Sequence, residues 1–238
     1  MKTSYHLHKL SQIGGAYLVG GSVRDHILKR PPNDHDIVIS GNAGAFAQKV
    51  AAGYGRRVIE IGKGEETVYR VVAEKQVYDF SSMKGASIED DLRRRDFTIN
   101  AMGYDLKSER LIDPVGGGRD LESKTIRLVS NDALNSDPLR MLRAFRFAAE
   151  LGFRLATETM AVISERSLLI TRSAKERISE ELFKIMGVER SFPHLRRIFE
   201  AGLLTRIIPE LEVCSGCLQN DVHGLDVLEH TMATYEEI

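Results

Sequence analysis

Two aspartates one residue apart, Asp34 and Asp36, head the apolar run Ile37-Val38-Ile39, a short way after the turn Gly20-Gly21-Ser22-Val23-Arg24-Asp25. In a strand, residues i and i+2 point to one face, so both carboxylates project side by side from the strand edge. Two unpaired carboxylates about 5–7 Å apart repel each other unless a cation bridges them, and Mg²⁺ takes oxygen ligands completed by water and substrate phosphate. The Gly20-Gly21 turn supplies a phosphate side, because glycines let backbone N–H groups approach an oxyanion and the N-terminus of the following helix favours negative charge. Ser22 is of the right type to cap that helix. The same Asp-His-Asp also fits an ordinary polar turn after Pro31-Pro32-Asn33. On these residues alone both readings stand.

Two basic clusters bear on the choice. Arg93-Arg94-Arg95 runs directly into Asp96-Phe97-Thr98-Ile99-Asn100-Ala101. Such a run is commonly a solvated helix end. Here Phe97-Thr98-Ile99 reads as a strand that pins the arginines to its own domain, where guanidinium groups can grip a triphosphate and Asp96 or Asn100 can bond a ribose hydroxyl. The second cluster is Asp137-Pro138-Leu139-Arg140-Met141-Leu142-Arg143. Asp before Pro is a good helix start in itself. Asp137 and Arg140, three apart at that start, also present one acceptor and one bidentate donor together, a match for cytosine or adenine, while uracil and guanine carry a carbonyl that Asp137 repels. Asp79, in Val77-Tyr78-Asp79-Phe80, falls on a neighbouring strand, either facing solvent or serving as a third carboxylate that takes the proton of an attacking hydroxyl or completes a metal site.

These residues need a scaffold. Ala16–Val19 and Asp36–Ile39 read as strands with a helix from Ser22 to Leu28 between them, Thr67–Ala73 and Val77–Ser81 as a hairpin, and Ala45–Ala52 as a helix ending at Gly53. From about Asn131 the β signal stops and apolar residues recur at helical spacing, as in Leu139, Leu142, Phe145 and Ala149. The expectation is an α+β head over residues 1–130, an all-α neck over 131–210, and the start of a further helical region over 211–238, which breaks off at Ile238 inside what reads as a helix. The chain has 238 residues with 33 Lys and Arg against 34 Asp and Glu, enough for a substantial core, and a nucleic-acid partner would meet a local basic face. Neither a membrane-spanning stretch nor a signal-peptide core is found, so a cytoplasmic protein is expected.

The motifs occur in a fixed order. Gly20-Gly21-x-Val23-Arg24-Asp25 with Asp34-x-Asp36 is followed by Arg94-Arg95-Asp96-Phe97-Thr98-x-Asn100-Ala101, by Asp113-Pro114-x-Gly116-Gly117 with Asp120-Leu121, by Asp137-Pro138-Leu139-Arg140-x-Leu142-Arg143 with Arg146-Phe147, and by Arg177-Ile178-x-Glu180-Glu181-Leu182. This series, over roughly residues 16–187, resembles the bacterial-type tRNA nucleotidyltransferase and poly(A) polymerase family. The resemblance implies a polymerase-beta-like head with a mixed sheet and a helical neck that holds the base of the incoming nucleotide. It implies that Asp34 and Asp36 bind two Mg²⁺ ions, that Gly20, Gly21 and Arg24 meet the triphosphate, that Arg94, Arg95 and Asp96 meet phosphate and ribose with Asn100 nearby, and that Asp137, Arg140 and Arg143 belong to the base-reading motif. Arg177 and Glu180 would brace that helix and Asp113 would mark a hinge. CTP, ATP and a tRNA or other RNA 3′ end are the implied partners; adding only C, only A or a poly(A) tail are neighbouring activities, and a binding module without turnover is the remote one. Ser136 stands where the family usually has an acidic residue. His223, Asp226 and His230 resemble the opening of an HD-type domain, but the adjacent His-Asp pair such a site needs is missing, and Cys214-x-x-Cys217 alone cannot close a zinc site.

Overall fold

The computed structural model describes residues 14–32, 34–73, 75–214, 216–217 and 226–236, and the chain divides into two compact units, residues 1–123 and 124–238. The first unit is built on a seven-stranded sheet in the order β3-β4-β5-β2-β1-β6-β7. Its strands are β1 (Ala16–Val19), β2 (Asp34–Ile39), β3 (Val58–Ile61), β4 (Val68–Ala73), β5 (Gln76–Ser82), β6 (Gly103–Asp105) and β7 (Arg110–Ile112). Every neighbouring pair is antiparallel except β2 and β5, which run parallel at the centre.

The period-2 alternation of β2 and β5 sorts residues onto two faces. One face carries His35, Ile37, Tyr78 and Phe80, all buried, and is covered by the helix Ala43–Gly53, whose Phe46 ring lies 5.5 Å from that of Phe80. Asn42 starts this helix by accepting a hydrogen bond from the Ala45 N–H at 2.9 Å. Gly44 is where helix meets sheet: a Cβ there would stand 2.9 Å from the ring of Tyr69. The other face carries Asp34, Asp36 and Val38. Ile88 and Leu92 of the helix Ile88–Arg93 pack on Val38 and Val19. Burying side chains of this size contributes about 1.5–3 kcal/mol each, so the aliphatic half of β2 anchors the polar half.

The second unit is helical apart from a two-stranded parallel ladder, β8 (Thr125–Ile126) with β9 (Arg154–Leu155). Its central helix, Arg140–Leu151, buries Met141, Leu142, Ala144, Phe145 and Ala148 against the helices Lys175–Met186 and Phe192–Glu200 and ends at Gly152, which takes the left-handed conformation with φ 68°. Among the described residues no helix is long and apolar enough to cross a membrane.

Candidate active site

The carboxylates sit where β2 begins. Both Asp34 and Asp36 lie inside the strand, two residues earlier than Asp36 alone would mark, and so share a face. His35 between them turns inward: it is buried, its Nε2 lies 3.0 Å from Gln76 Oε1, and its ring stacks on Tyr78 at 5.1 Å between centroids. Burial lowers its pKa, outweighing the opposing pull of the Gln76 hydrogen bond and of Asp34, so the ring is held neutral. Ser22 does not cap its helix. Its Oγ donates to the Asp34 carbonyl at 2.8 Å and accepts from the Asp36 N–H at 3.1 Å, stapling the turn helix Gly21–Ile27 to the start of β2. With the strand registered against β1 and β5, this leaves the two carboxylates little freedom.

Gly20 is required next to them. Its φ of 67° with ψ of −138° lies in a region essentially reserved for glycine, and a Cβ would stand 3.0 Å from Arg95 Nη1 and 3.3 Å from Asp36 Oδ2. Arg95 is thereby gathered to the carboxylate end of β2, its Nη2 donating to Asp91 Oδ2 at 3.2 Å while its buried Nε meets no acceptor. Burial pushes the pKa of Asp36 up; Arg95 opposes this, and the negative charges of Asp34 and Asp79 add to it. A carboxylate that resists ionising beside two others fits a divalent cation, which relieves both the crowding and the desolvation. Among the described residues no group of three or more His, Cys, Asp or Glu side chains is disposed to hold a metal ion. Asp79 faces Asp36 across the parallel pair, but both of its oxygens are committed to Arg70, at 2.8 Å from Nε and 2.7 Å from Nη2. The candidate third carboxylate of the sequence thus stands opposite Asp36 with its charge met by Arg70.

The remaining residues of the head interlock. Arg24 grips Asp25 with Nε and Nη2 at 2.8 and 3.0 Å and donates through Nη1 to Asn100 Oδ1 at 2.7 Å. Asn100 Nδ2 donates to Asp96 Oδ1 at 3.2 Å, which also accepts the Phe97 N–H at 2.8 Å, and both Asp96 and Asn100 are buried. The expected strand over Phe97-Thr98-Ile99 is absent: the helix ends at Arg93, Arg93 and Arg94 are exposed, and Thr98–Asn100 forms one turn of 3₁₀ helix closed by the Asp96 side chain. Asp113 accepts the N–H groups of Gly117 and Gly118 at 2.7 and 2.9 Å, and Asp120 accepts the Thr98 hydroxyl at 2.7 Å.

In the second unit, Asp137 does not cap the long helix directly. It sits in the turn before it, with Oδ1 accepting the Leu139 N–H at 3.3 Å and Oδ2 paired with Arg177 at 3.2 Å. Arg140 Nη1 donates to the Ala133 carbonyl at 3.2 Å, and the guanidinium of Arg143 lies 5.5 Å from the centre of the Phe147 ring. Arg146, which closes the second basic cluster of the sequence, holds the packing together: it pairs with the buried Glu181 at 2.7 Å and with Glu150 at 3.0 Å. The brace thus comes from Arg177 and Glu181, while Glu180 is exposed. Asp226 accepts the Gly216 N–H at 2.7 Å, His223 lies outside the described residues, and Cys214 and Cys217 are free thiols.

Residues 16–127 match the family model described as poly A polymerase head domain, and residues 152–214 match that described as probable RNA and SrmB-binding site of polymerase A. The chain belongs to the tRNA nucleotidyltransferase and poly(A) polymerase family. Asp137, Arg140 and Arg143 fall between the two matched segments. Among curated relatives of this family, a CC-adding tRNA nucleotidyltransferase of Geobacter sulfurreducens is 40% identical over 191 residues, covering 79% of this chain and 44% of the relative. A multifunctional CCA protein of Stenotrophomonas maltophilia is 41% identical over 219 residues, covering 85% of this chain and 53% of the relative. The solved structure of the Thermotoga maritima CCA-adding enzyme complexed with tRNA superposes with a TM-score of 0.77 at 28% identity, covering 91% of this chain and 52% of that one. The chain spans about half the length of the relatives it matches. The fold is that of the polymerase-beta-like nucleotidyltransferase head, and family members generally use a divalent metal.

Proposed function

We propose that the protein is an RNA 3′-terminal nucleotidyltransferase that adds C and A, from CTP and ATP, to the 3′ end of tRNA in the cytoplasm. The observation that carries this reading is the fixed carboxylate pair: Asp34 and Asp36 on one face of β2, held by Ser22 and crowded against Gly20 and Arg95. In this reading Asp34 and Asp36 hold two Mg²⁺ ions, and residues 1–130, 131–210 and 211–238 act as head, neck and the beginning of a further helical region. The bound metal supplies activation of the primer 3′-hydroxyl and relief of charge on the triphosphate during in-line attack on the α-phosphorus. Gly20 and Gly21 leave room for the triphosphate to approach the backbone; Arg24, Arg94 and Arg95 offer it positive charge, and Asp96 and Asn100 set the position of Arg24 and of the ribose. Asp79, opposite Asp36, is the third carboxylate that takes the proton of the attacking hydroxyl or completes the metal site. Asp137 and Arg140 select the base by offering one acceptor and one donor fork, with Arg143 beside them, and Arg177 holds Asp137 in place.

A narrower activity, addition of C alone or of A alone, stands beside it on one feature: Ser136, where the family usually has an acidic residue, bonds the Ala133 carbonyl at 2.9 Å and contributes no carboxylate to orient Arg140. Primer extension separates the readings. A tRNA lacking its last three nucleotides, given each of the four nucleoside triphosphates in turn and then CTP with ATP, should accept C first and A only after C. Incorporation of C with no subsequent A points to the narrower activity, and equal use of all four nucleotides or of none refutes both.

A further inference from the structure

At the β3 edge of the sheet the apolar residues are on the wrong face for the core. Ile59 and Ile61 stand opposite Arg70 and Val68 of β4, and Arg70 reaches Asp79 of β5, which is itself opposite Asp36. Ile59, Ile61, Val68 and Val72 therefore share the face that carries the carboxylates, whereas Glu60 lies opposite Tyr69, on the face of the helix Ala43–Gly53. Ile59, Ile61 and Val72 are 53%, 42% and 45% exposed. Scattered singly, such side chains need no explanation; side by side on two paired strands they form a surface suited to a partner. Exposed basic residues border it in the sequence, Arg56 and Arg57 leading into β3 and Lys63 following it.

The direction of the reaction says which partner. The carboxylates of β2 have Gly20, at the end of β1, on one side and β5, β4 and β3 in turn on the other. With the triphosphate against Gly20 and Gly21, pyrophosphate leaves toward β1. In-line displacement puts the attacking hydroxyl on the opposite side of the phosphorus, so the strand that carries it arrives over β5, β4 and β3. Neighbouring strands lie about 4.7–4.9 Å apart, which sets β3 about 14 Å from β2, on the order of four nucleotides of a stacked strand at about 3.4 Å each. We propose that the exposed face of β3 and β4 seats the last few nucleotides of the RNA being extended, with Ile59, Ile61 and Val72 against bases and sugars and the flanking basic residues near phosphates. The inference rests on the reading of Asp34, Asp36 and the Gly20-Gly21 turn as the reaction centre. Aliphatic side chains form no hydrogen bonds with base edges, so this seat accepts any sequence.

The test is a charge series in the intact chain: Ile59→Thr, Ile59→Asp and Ile59→Lys, with the same three replacements at Val72. Thr keeps the strand propensity, and melting curves verify that each variant is folded. Incorporation from CTP into a single-stranded RNA of about eight nucleotides gives kcat/KM for the RNA and KM for CTP, and sedimentation gives the oligomeric state. Each Asp variant should lower kcat/KM for the RNA at least ~10-fold, the effect of like charge set against a charged partner, while KM for CTP stays within about twofold. Thr should lose less than Asp. Lys should match or exceed wild type, with an advantage that shrinks as salt rises. Should an Asp variant unfold, Thr against Lys at that position decides. Asp and Lys variants that lower kcat/KM for the RNA alike overturn the proposal, and a wild-type dimer that the charged variants dissociate assigns the face to a second copy of this chain instead. Turnover by the wild type with the RNA used equally well across the series overturns this inference alone. A wild type that adds no nucleotide to any RNA 3′ end overturns the reading of the site and this inference with it.

Discussion

The two places where this chain gathers its polar residues are held by different means. At the head of β2, Asp34 and Asp36 are positioned by backbone: strand pairing with β5, a serine bonded to the main chain, a glycine whose conformation leaves no space for a side chain, and buried aliphatic residues two steps further along. At the start of the helix Arg140–Leu151, Asp137 is held by one side chain, that of Arg177, and the two are 30% and 54% exposed. An exposed ion pair of that kind contributes about 0.2–1 kcal/mol. In the proposed function the first is the chemical centre, which must not move, and the second the selecting pair, which rearranges when a base arrives.

Substitutions should expose that division. The largest effect is expected at the rigid end: Asp34→Ala or Asp36→Ala should lower nucleotide incorporation by at least ~10³-fold, on the order of what positioned metals and charges contribute elsewhere, with the fold intact by circular dichroism. Substantial turnover in either variant would mean that the carboxylate pair is not the reaction centre. At the adaptable end, Arg140→Ala should leave the chemical step running but flatten the preference for CTP and ATP over UTP and GTP by about one to two orders of magnitude, the cost of an unsatisfied hydrogen-bonding partner. Equal loss for all four nucleotides would make Arg140 structural, and the contrast between the two ends would collapse.

The smallest effect is thermodynamic. Because burial raises the pKa of Asp36 in the folded chain above its unfolded value, folding favours the protonated form. The associated stability is complete below the unfolded pKa and is lost as pH rises through the folded one. In chelator, wild type should therefore lose melting temperature relative to Asp36→Asn as pH is raised from the acid side of the carboxylate range toward neutrality. Parallel melting curves for the two proteins at every pH would show that the carboxylate is not under strain.

Much of the scaffold was legible because it is local. β1 was readable to the residue from Ala16-Tyr17-Leu18-Val19, and the β4–β5 hairpin from two β-rich runs with a short connection. The run Phe97-Thr98-Ile99 misled for the same reason: aromatic and β-branched residues favour strands on propensity, but a buried Asp96 that accepts the next N–H offers the backbone another partner and turns it into a helical turn. β8 and β9 are two residues each, too short for any period to register. At the site, the types and spacing of Asp34 and Asp36 were sufficient to place them on one face. What could not be read was which side chains spend their hydrogen bonds on each other. Arg70 with Asp79, Arg24 with Asn100 and Arg146 with Glu181 are partners only because sheet register and helix packing bring distant segments together.

The parallel pairing of β2 with β5 also dictates an order of events. These strands cannot meet until β5, at Gln76–Ser82, has been made, and β1 gains its second neighbour only when β6, at Gly103–Asp105, is available. Contacts of such sequence separation are the slow ones in folding. During synthesis, Asp36 and Asp79 therefore cannot be brought together on a nascent chain that stops short of β5, and a ribosome-bound fragment of that length leaves the β5-facing edge of β2 unpaired.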